Sequence, residues 1–253
     1  MKKLVLHSGG MDSTAMMLDY VETYGPENII SLGINYGQKH LQFESEAAWK
    51  FCNKRNIQRC VLSIPISQLG SCSLIDKDVE VTTDMEDQRS TVVPQRNAIF
   101  LLFAAGFAEK NGCDEIVHGA CVDDYKAYRD CRPQFFKLLE ATIQAGRTQP
   151  IKGSEDIIQD LDHNICSLLP DTADVTISTP LIDETKTETL TRILETHSVS
   201  VYKDSYSCYK GKQASCGRCP ACVERLIAFY QNKVVDPIWY SDKISEKEMD
   251  ELI

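Results

Sequence analysis

The chain has 253 residues, 43% hydrophobic and 25% charged, with 13 Gly and 9 Pro, proportions that exclude collagenous, coiled-coil and disordered classes. A globular chain of this length buries roughly 70 to 75% of its unfolded surface, so it needs neither disulfides nor a partner to build a core. Its 27 basic and 37 acidic residues leave a net charge of -10. No run of Lys or Arg makes a basic stripe, so no stable nucleic-acid partner is expected. No stretch reaches the roughly 20 consecutive apolar residues of a membrane span, and Met1 to His7 is too short for a signal peptide. A cytoplasmic protein with no membrane partner is expected. Its eleven Cys then read as thiols or metal ligands, not as a disulfide framework.

In chain order, Lys3 to His7 predicts a short strand, and Ser8 to Ser13 a tight loop opening a helix from Thr14 to about Tyr24. A second strand follows over Ile29 to Ile34, a helix over His40 to Asn53, and a third strand over Cys60 to Ile64. Residues 66–90 are polar and aperiodic and read as a long mobile excursion. Asn97 to Lys110 is apolar almost all round, which predicts a buried central helix. Glu115 to Gly119 predicts a strand, Pro133 to Ala145 a helix with Pro in its first turn, and Val175 to Thr179 a fifth strand after a polar insertion. Thr185-x-x-Glu188 is a capping box opening a helix to about Thr196.

This alternation predicts an α/β fold, a mostly parallel sheet with helices on both faces, whose ligands bind beyond the carboxyl ends of the strands. From Tyr202 the composition turns to Tyr, Lys, Gly and clustered Cys, then to a helix over Ala221 to Gln231 and an acidic tail. Two parts are expected, 1–200 and a small module over 201–253.

Two motifs carry chemistry. Ser8-Gly9-Gly10-Met11-Asp12-Ser13 lies between strand and helix, where free backbone N–H groups and the helix dipole favour an anion. Adjacent glycines also suit an ordinary turn, but the hydroxyl and carboxylate groups around one concavity favour the cradle. Its spacing is neither the Walker nor the dinucleotide pattern. Cys208, Cys216, Cys219 and Cys222 have the spacing of a closed tetrahedral Zn2+ site, with Gly217 and Pro220 permitting the turns. Such a site is structural. A redox or sulfur-transfer pair is the alternative.

The hexapeptide resembles the pyrophosphate-binding loop (PP-loop) of the ATP pyrophosphatase superfamily, Ser-Gly-Gly-x-Asp-Ser after the first strand. That likeness implies the adenine nucleotide alpha-hydrolase-like fold and ATP bound by His7, Ser8, Gly9, Gly10, Met11, Asp12, Ser13 and Thr14. Four further segments resemble the 7-cyano-7-deazaguanine synthases of the queuosine pathway. They are Tyr36-Gly37-Gln38-Lys39-His40, Val93-Pro94-Gln95-Arg96-Asn97, Asp124 to Arg132, and Thr179-Pro180-Leu181 with Lys186. The third departs from the family pattern: Lys126-Ala127 replaces Ser-Gly and Arg129 replaces Pro. Residues 147–174 form a longer link than usual.

The resemblance implies an ATP-dependent ligase acting on a small deazaguanine carboxylate and ammonia, with Mg2+ beside the phosphates; a homodimer is left open. Asp12, Lys39, Arg96 and Lys186 become the candidate catalytic residues, Asp12 either as a Mg2+ ligand or as a loop-capping acceptor. Gln38, His40, Arg96, Asn97, Asp124, Tyr128, Asp130 and Arg132 become candidates on the substrate side. Asp130 could instead cap the helix after Arg132. Competing readings are a PP-loop RNA-modifying ligase or sulfurtransferase, which needs a basic RNA surface, and a non-catalytic zinc-knuckle binding protein. The seven Cys outside the cluster (52, 60, 72, 113, 121, 131, 166) read as small core residues.

Overall fold

The computed structural model describes residues 1–85, 87–146, 175–242 and 244–252. The 147–174 link and Cys166 lie outside them. Five strands, Lys2–Leu6 (β1), Ile29–Asn35 (β2), Gln58–Ser63 (β3), Cys113–Val117 (β4) and Thr176–Ser178 (β5), form one sheet in the order β3-β2-β1-β4-β5. Every pairing is parallel. β1 is central, and its apolar residues alternate between faces, as a strand covered on both sides requires.

Val5 packs with buried residues of the helices Met11–Tyr24 (α1) and Leu41–Arg55 (α2), joined by Leu190 and Ile193 of Lys186–Thr196 (α5) and Phe229 of Pro220–Gln231 (α6). Leu4, on the opposite face, packs with Leu101 and Ala104 of Arg96–Asn111 (α3) and Phe136 and Leu139 of Pro133–Ala145 (α4). The predicted doubly covered sheet is therefore present. A terminal helix, Glu246–Leu252 (α7), stands in the acidic tail, where no helix was expected.

Three expectations need correction. The first helix begins at Met11, three residues before the predicted start, because Gly10 serves as its N-cap and Asp12 and Ser13 enter its first turn. The central helix is not buried all round. Leu102 and Phe103 are 48% and 50% exposed among the described residues, since α3 meets the sheet along one side only. By length and composition the stretch Arg89–Asn111 could cross a membrane, yet here it comprises a 3-10 turn, a short link and α3, whose inner side is core.

The 66–90 segment is no loose excursion either. Ile66, Cys72 and Leu74 are buried with Tyr36 and Val93 in a cluster of their own. Lys39 N–H donates to the Leu74 carbonyl at 2.8 Å, and Ser73 N–H to that of Ser90 at 2.8 Å. Few apolar residues suffice to anchor the segment because they come at points where its backbone bonds to the body.

The four-Cys segment builds its own small core with Tyr206, Val223, Leu226, Tyr240 and Met249, against Ala47 of α2. Arg225, 1% exposed, ties it together by a two-pronged pair with Asp236, Nε to Oδ2 at 2.7 Å and Nη2 to Oδ1 at 2.9 Å, and by Nη1 to Ser205 Oγ at 2.7 Å. A buried guanidinium survives only with such full pairing.

Candidate active site

Chain connections leave β1 toward α1 and leave β4 toward the opposite side, so a crevice opens where the strand order reverses. The cavity there has a volume of about 270 Å³. His7, Ser8, Gly10, Met11, Asp12 and Ser13 line its floor. Gly9 has φ +94°, and a Cβ there would meet Glu44 O and Ala48 N at 2.7 Å, so only Gly lets α2 approach the loop this closely. Ser13 Oγ accepts from Gly9 N–H at 3.1 Å, and Ser8 Oγ accepts from Gly10 N–H at 3.2 Å. Gly10 brings no capping side chain to α1, leaving the helix's first amides to an anion.

Lys186, the first residue of α5, sits beside that loop and is 8% exposed. Its ammonium lies 3.2 Å from Glu224 Oε2, 3.4 Å from Asp124 Oδ1 and 3.8 Å from Asp12 Oδ2. It also donates to Cys121 Sγ at 3.3 Å. Burial alone would lower the Lys186 pKa, but Asp124, Glu224 and Asp12 outweigh it and hold the group charged. One cation cannot serve three carboxylates equally. Burial also pushes Asp124 up, yet Lys186 and the Cys121 N–H bring it below its ordinary value. Burial keeps Asp12 and Glu224 raised, with Lys186 offsetting only part.

Across the cavity Arg96 lies with its guanidinium 5.4 Å from the Tyr128 ring centroid. Tyr36, Phe100 and Tyr209 complete an aromatic wall, with the Tyr36 and Phe100 centroids 5.2 Å apart. Tyr128 is fixed through its hydroxyl, 2.7 Å from Thr91 Oγ1. His118 lies past β4, where its Nδ1 accepts from Ala120 N–H at 3.1 Å, so Nε2 carries the ring proton. Burial lowers its pKa to about 4, which keeps the ring neutral.

The sulfurs of Cys208, Cys216, Cys219 and Cys222 all lie within 4.8 Å of one another and are buried. Backbone N–H groups of Arg218 and Cys219 donate to Cys216 Sγ at 3.4 and 3.2 Å, and Cys216 N–H donates to Cys208 Sγ at 3.3 Å. Bonds from Cys208, Cys219 and Cys222 pull Cys216 well below the ordinary thiol range. Convergent buried sulfurs that already accept from amides fit a metal ion.

The model of the family described as "Queuosine biosynthesis protein QueC" matches residues 2–233. The chain belongs to this family. Among curated relatives, it is 31% identical over 243 residues to the 7-cyano-7-deazaguanine synthase of Hahella chejuensis, covering 94% of this chain and 93% of that one. It is 33% identical over 248 residues to 7-cyano-7-deazaguanine synthase 2 of Colwellia psychrerythraea, covering 95% and 100%. Among solved structures it is similar to the U34-tRNA thiolase NcsA of Methanococcus maripaludis, with its [4Fe-4S] cluster, at 18% identity and a TM-score of 0.42, covering 81% of this chain and 62% of that one.

In this QueC-family protein the cavity gathers His7, Ser8, Gly10, Met11, Asp12, Ser13, Gln38, His40, Arg96, Asn97, Asp124, Tyr128 and Lys186 from the residues singled out in the sequence. Five others lie off it, Gly9 among them, packed against Glu44 and Ala48 of α2. Lys39 Nζ donates to the Val79 carbonyl at 2.6 Å and so clamps the 66–90 segment. Thr14 is buried beneath the loop, its N–H on Gly10 O at 3.0 Å. Asp130 caps α3 instead of α4, accepting from Asn97 N–H at 3.1 Å. Arg132 donates to the Tyr125 carbonyl at 3.0 Å. Asp12 caps no loop amide: its Oδ1 is buried without a hydrogen-bond partner among the described residues. Cys131 accepts from Asn97 Nδ2 at 3.3 Å and is pushed up to about 12 by burial, which leaves it an inert thiol.

Tyr206, Tyr209 and Glu224 are cavity residues that sequence reasoning missed, and all three come from the four-Cys segment. Tyr209 adjoins Cys208, and Glu224 stands two residues after Cys222. Adjacency to the clustered cysteines was their signal, and nothing in their own residue types distinguished them.

Proposed function

We propose that the protein is a 7-cyano-7-deazaguanine synthase that converts 7-carboxy-7-deazaguanine and ammonia to the 7-nitrile, driven by ATP. The supporting observation is the convergence, in a QueC-family chain, of an uncapped Ser-Gly-Gly helix start, Lys186 and an arginine set against aromatic rings in one cavity. A carboxylate is a poor electrophile. Its oxygen attacks the α-phosphorus and expels pyrophosphate; ammonia then displaces AMP from the acyl carbon and releases a proton. The amide oxygen is adenylated in the same way. Loss of AMP with the two N–H protons leaves the carbon–nitrogen triple bond.

In this reading the α1 amides and the Ser8 and Ser13 hydroxyls hold the phosphates. Lys186 and Arg96 stabilise charge developing on oxygen, the first as a point charge and the second as a planar fork. Tyr36, Phe100, Tyr128 and Tyr209 clamp the flat heterocycle and exclude water from the reacting carbon. The unpartnered Asp12 Oδ1 would hold Mg2+, which neutralises phosphate charge when bound. The four Cys would hold Zn2+ as a structural ion. A nucleotide-binding part over 1–200 and a zinc module beyond it belong to the same proposal.

The test is mass spectrometry of purified protein with Mg-ATP, ammonium and 7-carboxy-7-deazaguanine, omitting each in turn. Nitrile appearing only in the full mixture, with amide detectable early, is the expected outcome. ATP consumption that depends on added RNA would replace this reading with an RNA-modifying one.

A further inference from the structure

The Lys186 ammonium has three protons to donate. Two are donated to Cys121 Sγ at 3.3 Å and Asp124 Oδ1 at 3.4 Å, and Glu224 Oε2, in an ion pair at 3.2 Å, is the nearest charge to the ammonium. Asp12 is the fourth neighbour and the one left over, 3.8 Å away through Oδ2, with Oδ1 unpartnered. We propose that Glu224 is a positioning residue that holds Lys186 on the zinc-module side of the cleft, which keeps the Asp12 carboxylate open to the divalent cation of the nucleotide. This rests on the reading of Ser8 to Thr14 as the ATP loop.

Glu224 suits the task because both ends of its helix are pinned. Cys219 is the N-cap of α6 and Cys222 lies in its first turn, so the sulfur cluster holds that end. At the other end Thr187 Oγ1 donates to Gln231 Oε1 at 2.6 Å, Asn232 Nδ2 to the Thr187 carbonyl at 3.1 Å, and Thr191 Oγ1 to Asn232 Oδ1 at 2.7 Å. α5, which carries Lys186, is thereby fastened to α6, which carries Glu224. The lysine backbone is held separately, its N–H on Asp123 Oδ2 at 2.7 Å. The side-chain tip is the free variable. Without Glu224 the buried ammonium would lose its nearest counter-charge, which is costly in a buried pair, and Asp12, 3.8 Å away, is the carboxylate toward which the tip can move.

The test is calorimetric titration of the zinc-loaded full chain with ATP, with and without added Mg2+. E224L should weaken Mg-ATP binding about tenfold, the scale of coupling within one buried ion-pair network, while changing metal-free ATP binding less than about twofold. E224Q keeps an acceptor at the same reach and should stay within about threefold of the wild type. Zinc content should be unchanged in both variants. An equal loss with and without Mg2+ would overturn the proposal, as would E224L binding Mg-ATP like the wild type.

Should E224L fail to fold, the pair K186M and K186M/E224L decides, because the double variant leaves no unpaired buried ammonium. The two should bind Mg-ATP alike. A further loss in the double variant would mean that Glu224 acts on the metal directly, against the proposal. Wild-type protein that binds ATP in neither buffer would overturn the nucleotide reading and, with it, this inference.

Discussion

The strand-helix part and the four-Cys part meet at one cavity but place their residues in it by different means. In the first, backbone geometry does the positioning: β1 and β4 end side by side, and whatever follows them, Ser8 or His118, enters the crevice. The second contributes no strand to the sheet among the described residues. Its side chains are aimed by sulfur convergence and by the buried Arg225–Asp236 pair. Regular structure tolerates changes in individual side chains, whereas a small segment built around the proposed metal would depend on each of its four sulfurs.

Cys216→Ser should therefore have the largest effect. With the proposed metal in place, losing one of four converging sulfurs would remove metal-derived folding energy, and with it the placement of Tyr209 and Glu224. We expect loss of bound metal, by elemental analysis, and a steep fall in soluble yield; a folded, metal-free, active variant would erase the contrast between the two parts. Asp12→Ala strikes only the sheet side. Turnover should fall at least about a hundredfold, in line with removal of a transition-state electrostatic group, while metal content and melting temperature stay as in the wild type.

A smaller effect concerns pH. His7 is 1% exposed, bonded at Nδ1 to Ser31 Oγ at 3.1 Å, and burial lowers its pKa to about 3. The unfolded chain binds that proton near pH 6.5 and the folded chain does not, so stability falls as pH drops from about 6.5 toward 3. His118, at about 4, acts in the same direction. The urea midpoint should decline between pH 7 and 4.5, by at most about 1.4 kcal/mol per unit for each histidine, and His7→Gln should flatten the slope. An unchanged slope would show that His7 plays no part in acid lability. Last, Thr185→Ala removes the acceptor of Glu188 N–H from a capping box present as the sequence predicts. It should cost about 1 kcal/mol in chemical denaturation without changing metal content.

Much of the sheet part was legible because its signals are local. Helix α4 runs over Pro133–Ala145 as predicted, since a proline in the first turn and an apolar stripe need no tertiary information. The 66–90 segment was misread because its anchors, Ile66, Cys72 and Leu74, are spaced irregularly, and irregular burial has no period to detect. The exposed side of α3 escaped for the opposite reason: Leu102 and Phe103 look like core in sequence, and only the one-sided packing of the helix shows otherwise.

Sequence alone determined the α/β class, the Ser-Gly-Gly loop after β1, the four-Cys cluster and the family resemblance. Each is written in residue type and spacing along a continuous stretch. Tertiary structure alone decided that Lys39 clamps a loop, that Asp130 caps α3, and that Glu224 and Tyr209 join Lys186 and Arg96 in one cavity. Those assignments depend on where separate segments come to rest after packing. A buried charge takes its function from the partners that folding brings within hydrogen-bond reach, and no spacing rule connects residues 12, 124, 186 and 224.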